Sequence, residues 1–507
     1  MMRFLSKLLI PAALVASAVP AAIAENLVIL ATNDTHSQID PDAEDNLGGV
    51  ARRKVVIDSV RQANDNVLLV DAGDIVQGTL FFNIYKGDME EKLMNALDYD
   101  IRILGNHEFD NGMQALADNL ADADADLLSL NYVTDDTPLR GLLKPYVIKE
   151  YDGKRIAVMG INLQPEGMIS DRNTRGLRYI DAIEAANHAA WWLKNIEKAD
   201  YVVAVTHIGY KPATPPGDVM LAGLSDDIDV IIGGHSHTMV DPNDASAPHL
   251  VKNASGKDVL VTQAAKMGKY VAEITIDLDS LDKTPDYNLI RIDSRLDDRT
   301  DPEIEEIISP YCAKVEQLNK KVVARTARAL PKDSQGLLNY VADFVMHRGS
   351  QLADNVDFAI INKGGIRNSL PKGNVTEGQI ITLMPFFNKI QVIDIAGRDL
   401  IPAFNQMAKV DGNGVSNGVD VIYNPDTDTC SDIMINGSRL DPDKIYRVAS
   451  IDYLIEGGDY MHSLTKGAVK AESPAFMFED MLEYLRNGAG KGKKINPDET
   501  VRMHPVK

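Results

Sequence analysis

Five of the ten histidines stand in short blocks just beyond apolar runs, two of those blocks holding an acid and an amide as well. The blocks are Asn33-Asp34-Thr35-His36, Gly105-Asn106-His107-Glu108 with Asp110 just beyond, Thr206-His207, and Gly233-Gly234-His235-Ser236-His237; Asp71-Ala72-Gly73-Asp74 adds carboxylates of its own. Imidazole and carboxylate together form a donor set for borderline divalent metals such as Zn, Mn, Fe or Co. Only two cysteines, Cys312 and Cys430, are present, too few for a thiolate site or a disulfide scaffold, and whether they pair is left open. In Asp34-x-His36 and His235-x-His237, positions i and i+2 of an extended segment project to one side. With about seven candidate ligands between them, the blocks exceed what one tetrahedral ion takes. They fit two ions that share a bridging carboxylate. Taken singly each block is a weak signal, because a lone strand-end His is usually structural and Asp74 or Asn106 could simply cap a turn. The five blocks in series carry the inference.

The elements that position these blocks are short apolar runs, and each block follows one. The runs are Leu27–Ala31, Val67–Val70, Ile101–Leu104, Leu127–Leu130, Ile156–Met159, Tyr201–Val205 and Val230–Ile232. Each is bounded by Gly, Asn or Asp, as buried strands are. Gly48–Arg61, Glu90–Leu97 and Asp181–Glu197 have helical spacing, so the alternation predicts an α/β core with ligands at the carboxyl ends of its strands. Glu303–Val322 predicts a linker helix with Pro310 as its one flaw, and Val356–Asn362, Ile390–Ile395, Val419–Tyr423 and Tyr446–Ser450 predict strands of a second domain.

Length and charge bound the rest. The chain has 507 residues, 45% hydrophobic and 25% charged, with 52 Lys and Arg against 74 Asp and Glu and a net charge of −22. That is enough for two or three domains with their own cores. The acidic balance argues against duplex DNA or anionic lipid as the main partner. Residues 1–24 read as a signal peptide: Arg3 and Lys7 precede an apolar stretch, Leu8–Val19, and Ala22-Ile23-Ala24 offers a cleavage site before Glu25. Nothing later is long and apolar enough to span a bilayer. The expectation is export, with the periplasm as the destination in a Gram-negative cell.

Asp34-x-His36, Gly73-Asp74, Gly105-Asn106-His107-Glu108, His207 and Gly234-His235-x-His237 resemble the motifs of calcineurin-like metallophosphoesterases. Further on, Asn362-Lys363-Gly364-Gly365-Ile366-Arg367, Pro385-Phe386-Phe387-Asn388 and Tyr453…Gly457-Gly458-Asp459 resemble the signatures of the 5′-nucleotidase C-terminal domain. The whole is similar to the secreted bacterial 5′-nucleotidase family. The resemblance implies an N-terminal αββα sandwich metallophosphoesterase domain (25–300), a linker helix (301–322) and an α+β substrate-binding domain (323–507). It implies that Asp34, His36, Asp74 and His237 surround one divalent ion and Asp74, Asn106, His207 and His235 the other. His107 resembles the transition-state stabiliser or leaving-group acid, oriented by Asp110. Arg367 would hold the phosphate, with Asn362, Gly364 and Gly365 letting substrate approach closely. Asp459 would accept the ribose hydroxyls and Tyr453 would stack on the base.

The activity so implied is release of phosphate from nucleoside 5′-monophosphates. UDP-sugar or NAD diphosphatase and 2′,3′-cyclic-nucleotide phosphodiesterase are the alternatives, and an exported nucleotide-binding protein is the non-enzymatic one. Two departures from the family pattern bear on the nucleotide. Asn413 stands where a second base-stacking aromatic is usual. Ala329-Leu330-Pro331 stands where an Arg often joins the phosphate cluster, with Arg328 near but out of register.

Overall fold

The computed structural model describes residues 26–212, 216–487 and 494–506; the leader expected over residues 1–24 lies outside them. Strand Asn26–Thr32 is apolar at nearly every position because both its faces are covered. Leu27, Ile29 and Ala31 pack among Val203, Val205 and Ile232 of a second sheet. Val28 and Leu30 turn the other way, into a core with Val56, Ile57 and Leu93 of helices Val50–Ala63 and Asp88–Ala96.

The first sheet runs in the order Asp286–Arg291, Tyr270–Asp277, Asn26–Thr32, Val67–Asp71, Ile101–Ile103, Asp126–Leu128, with the last four strands parallel. The second runs Leu250–Lys252, Asp258–Thr262, Val230–Ile232, Tyr201–His207, Lys154–Asn162, Tyr146–Tyr151, and its middle four strands are parallel. Behind it Ala186, Ala190 and Leu193 of helix Ala182–Asn195 cover Ala157, Met159, Val202 and Ala204. Helix, sheet, sheet, helix is the layer order, an αββα sandwich.

Asp301 caps the next helix, Pro302–Lys320, by accepting the Glu303 N–H at 2.9 Å, and Pro302 occupies its first turn. Pro310 sits inside the helix without ending it. This helix packs on Leu80–Tyr85 and Asp88–Ala96 on one side and on Glu377–Leu383 of the following domain on the other. A strand, Val322–Thr326, follows directly. The second domain centres on a mixed sheet in the order Gly414–Val415, Phe358–Ile361, Ile445–Ile451, Lys389–Ala396, Ala468–Phe476. Helix Gln335–Leu352 packs on its three central strands. Among the described residues no helix is long and apolar enough to cross a membrane, and Cys312 and Cys430 are both unpaired.

Candidate dinuclear metal site

The ligand blocks leave the carboxyl ends of strands in both sheets, so the two sheets deliver them to one end of the sandwich. Five of these residues, Asp34, His36, Asp74, His235 and His237, have positive φ, between 48° and 76°. Non-glycine residues adopt that conformation only at a cost of about 1–3 kcal/mol each, and it clusters where function needs it. Two glycines make room. A Cβ on Gly105 would collide with the Asp74 carboxylate, and one on Gly234 would stand 2.8 Å from His207 Nδ1.

Asp34, His36 and His237 bring one ligand atom each within 4.8 Å of one another, and Asp74, His207 and His235 do the same. The tautomers suit ligation. His36 Nδ1 donates to the Val76 carbonyl at 3.2 Å and His207 Nδ1 to the Ala72 carbonyl at 2.6 Å, which leaves each Nε2 turned inward as the atom available for ligation. His36 Nε2 and His237 Nε2 face each other at 2.9 Å, with Asp34 Oδ1 3.3 Å from the latter. His207 Nε2 is buried without a hydrogen-bond partner, 3.1 Å from Asp74 Oδ2. Asn106 Oδ1 lies 3.0 Å from His235 Nδ1, adding a neutral oxygen to the second group. Two imidazole nitrogens facing each other, and a buried third one set against a carboxylate, are what bound cations would satisfy, so this donor set fits two divalent ions.

The charges agree. Burial pushes His36 down to about 3 and His235 to about 4, so both are neutral, as ligands must be. Burial works against ionised Asp34 and Asp74. Even so, hydrogen bonding to His237 with the charge of His207 lowers Asp34, and His207 with His107 holds Asp74 well below the usual carboxylate range. Against burial, Asp74 lifts His207 to about 10; cation binding must therefore release that proton.

His107 Nδ1 donates to Asp110 Oδ2 at 2.9 Å. Burial would lower its pKa, but the charges of Asp110 and Asp74 outweigh that and raise it above the ordinary imidazole value. The His107 backbone N–H donates to Asp74 Oδ1 at 2.9 Å, tying acid and ligand together. Glu108, to which the sequence reading gave no role, accepts the N–H groups of Gly105, Asp74 and Ile75 at 2.5, 3.2 and 2.8 Å and so pins the left-handed turn at Asp74.

One cleft of about 240 Å³ is lined by both domains. Asp74, Asn106, His107, Asp110, His235 and His237 face it from the first, and Asn362, Gly364, Gly365, Arg367, Tyr453 and Asp459 from the second. Asp34, His36 and His207 are buried behind it. Asp459 accepts from Tyr453 OH at 2.9 Å and from Asn362 Nδ2 at 2.7 Å, and burial raises its pKa. Arg367 Nη2 reaches Gln77 Oε1 of the first domain at 3.4 Å.

Asn413 is not at the cleft. It is buried, and its Oδ1 accepts the Lys363 N–H at 2.9 Å, so it braces the turn that carries Gly364 and Gly365. No motif marked the loop of the first domain that docks beside Tyr453. There the Gly167 carbonyl accepts from Asp459 N (2.8 Å) and lies 3.1 Å from Tyr453 OH, whose one proton it shares with Asp459, Ser170 Oγ donates to Glu456 (2.6 Å), and Arg172 pairs with buried Asp452 (2.6 Å).

An αββα sandwich with two His and Asp clusters at its strand ends defines a dinuclear metallophosphoesterase. Family models agree: calcineurin-like phosphoesterase matches residues 27–239, and the 5′-nucleotidase C-terminal domain matches residues 313–466. The chain belongs to the 5′-nucleotidase family of metal-dependent phosphohydrolases, which joins these two domains. It is 28% identical to the 5′-nucleotidase of Bos taurus, over 90% of this chain and 87% of that one. It is 27% identical to the trifunctional nucleotide phosphoesterase protein YfkN of Bacillus subtilis over 95% of this chain, and spans 35% of that longer protein. The crystal structure of a 5′-nucleotidase precursor from Thermus thermophilus superposes with a TM-score of 0.83 at 27% identity, over 95% of this chain and 99% of that one.

Proposed function

We propose that this enzyme releases phosphate from nucleoside 5′-monophosphates, with each site residue in the role its geometry suits. The observation that carries the reading is the single cleft in which two metal-ligand clusters of one domain face Arg367, Tyr453 and Asp459 of the other. Asp34, His36, Asp74 and His237 would hold one ion, and Asp74, Asn106, His207 and His235 the other, with Asp74 common to both. When bound, such a pair activates water and neutralises charge on the phosphoryl oxygens.

The side chains do the rest. Arg367, half-buried at the cleft, would take the phosphate through its planar fork. His107 has Nδ1 committed to Asp110, which leaves Nε2 to give its proton to the departing ribose oxygen. Its raised pKa keeps that proton available near neutral pH. Asp459, already accepting from Asn362 and Tyr453 on separate oxygens, has remaining lone pairs for ribose hydroxyls. Tyr453 would present its ring to the base. Residues 1–24 as a cleaved leader would put this chemistry outside the cytoplasm, in the periplasm. Product analysis on AMP, UDP-glucose and 2′,3′-cyclic AMP tests the substrate: adenosine and phosphate from AMP are expected, and turnover of either alternative without AMP would overturn the reading.

A further inference from the structure

Two functional groups come to the cleft from different domains, the His107 imidazole from the first and the Arg367 guanidinium from the second. One side chain touches both. The ring of Phe386 stacks on the His107 imidazole with centroids 5.9 Å apart and planes inclined by 27°. The Arg367 guanidinium carbon lies 5.8 Å from the same Phe386 centroid. An aromatic ring stacks on another flat ring and, through the negative charge density on its faces, attracts a guanidinium within about 6 Å.

Each partner lacks other restraints that would make this contact redundant. His107 is bonded to Asp110 through Nδ1, and His36 meets it edge-on at 5.4 Å, which leaves the ring plane to be set by what stacks on it. Arg367 has one long hydrogen bond, to Gln77 Oε1 at 3.4 Å. Phe386 itself is fixed from both sides. The Pro385 carbonyl before it accepts from Asn83 Nδ2 of the first domain at 2.5 Å. After it, Phe387 is anchored against Phe476 and Phe478 of the second domain.

We propose that Phe386 is a positioning residue for phosphoryl transfer, aligning the leaving-group acid of one domain with the phosphate clamp of the other. The inference rests on the nucleotidase reading and adds to it a group that neither holds metal nor bonds substrate. Because the Phe386 contact to His107 crosses the domain interface, the alignment exists only when the domains are together.

The test compares Phe386→Leu and Phe386→Met, which keep apolar volume but remove the π face, with Phe386→Tyr, which restores it. kcat and KM for AMP, turnover of bis-p-nitrophenyl phosphate, bound metal and Tm are read on the same samples. The Leu and Met variants should lose roughly 5- to 30-fold in kcat on AMP, the range a desolvated cation–π contact implies. KM should stay within about threefold, and metal content and Tm should be unchanged. Bis-p-nitrophenyl phosphate, whose leaving group departs without a proton, should lose less than about threefold, and the Tyr variant should recover most of the AMP rate. Unchanged kcat on AMP in the Leu and Met variants, or equal loss on both substrates, would overturn the proposal. A wild-type enzyme that cleaves the bis-ester but not AMP would instead overturn the nucleotidase reading on which it stands.

Discussion

His107 is where the chemistry is most exposed to test. It contributes a proton rather than a ligand atom, so His107→Ala should lower kcat on AMP by about 100-fold or more while both ions stay bound. Metal analysis beside the rate checks this, and full activity would refute the role. Because Asp110 and Asp74 raise the His107 pKa, the protonated form persists above the ordinary imidazole range. The rate should therefore fall as pH rises through that raised value. Asp110→Asn removes one raising charge and should shift this limb to lower pH. At Tyr453, stacking is worth about 1–3 kcal/mol per base, so Tyr453→Ala should cost roughly 5- to 150-fold in kcat/KM on AMP and much less on p-nitrophenyl phosphate. Equal losses would make Tyr453 a core residue. The histidines and carboxylates were legible in the sequence because they repeat one chemistry at strand ends. The roles of Glu108, Arg172 and Phe386 were not, because they turn on contacts to Asp74 and Ile75, to Asp452 and to His107, each 33 or more positions away in the chain, which spacing cannot reveal.

Elements rather than single groups decide how the cleft is closed. The loop from Gly167 to Arg172 makes four polar contacts with the second domain, and its Arg172 neutralises Asp452, which is 0% exposed. Removing one partner of a buried pair leaves the other charge stranded. Arg172→Ala should weaken closure, raising KM for AMP by about 3- to 10-fold with bis-p-nitrophenyl phosphate turnover little affected; steady-state kinetics on both substrates decides it. Helix Asp88–Ala96 carries a different liability. Both carboxylate oxygens of Glu90 are buried without a well-formed hydrogen bond among the described residues, and burial, outweighing the nearby Ser37 hydroxyl, pushes the group from 4.5 up to about 7. A raised acid pKa means the unfolded chain releases its proton first, so stability declines as pH rises between those values. Glu90→Gln has no proton to lose, and its Tm should gain on wild type from about pH 5 to pH 7, then hold that lead. A pH-independent gap would show that Glu90 does not titrate there. The parallel strands other than Asp258–Thr262 could be read from sequence because burial on both faces makes them continuously apolar. Strand Asp286–Arg291 could not, since it is largely exposed at the sheet edge.

At the scale of the whole molecule, neither domain holds a complete site. The first supplies the metal clusters and His107; the second supplies Arg367, Tyr453 and Asp459. The two-domain plan was legible because each half has its own motifs. How the domains meet was not, because it depends on side chains such as Gln77, Asn83 and Arg172, none of which belongs to a pattern. The central claim is that two ions bound by this first domain drive hydrolysis of a nucleotide held by the second. The most direct measurement is phosphate release from AMP on one sample before chelation, after chelation, and after readdition of Mn or Zn, with bound metal counted at each stage. The account predicts activity that disappears on chelation and returns as the second ion binds. Two bound ions with no hydrolysis of AMP, or undiminished hydrolysis with none, would contradict it.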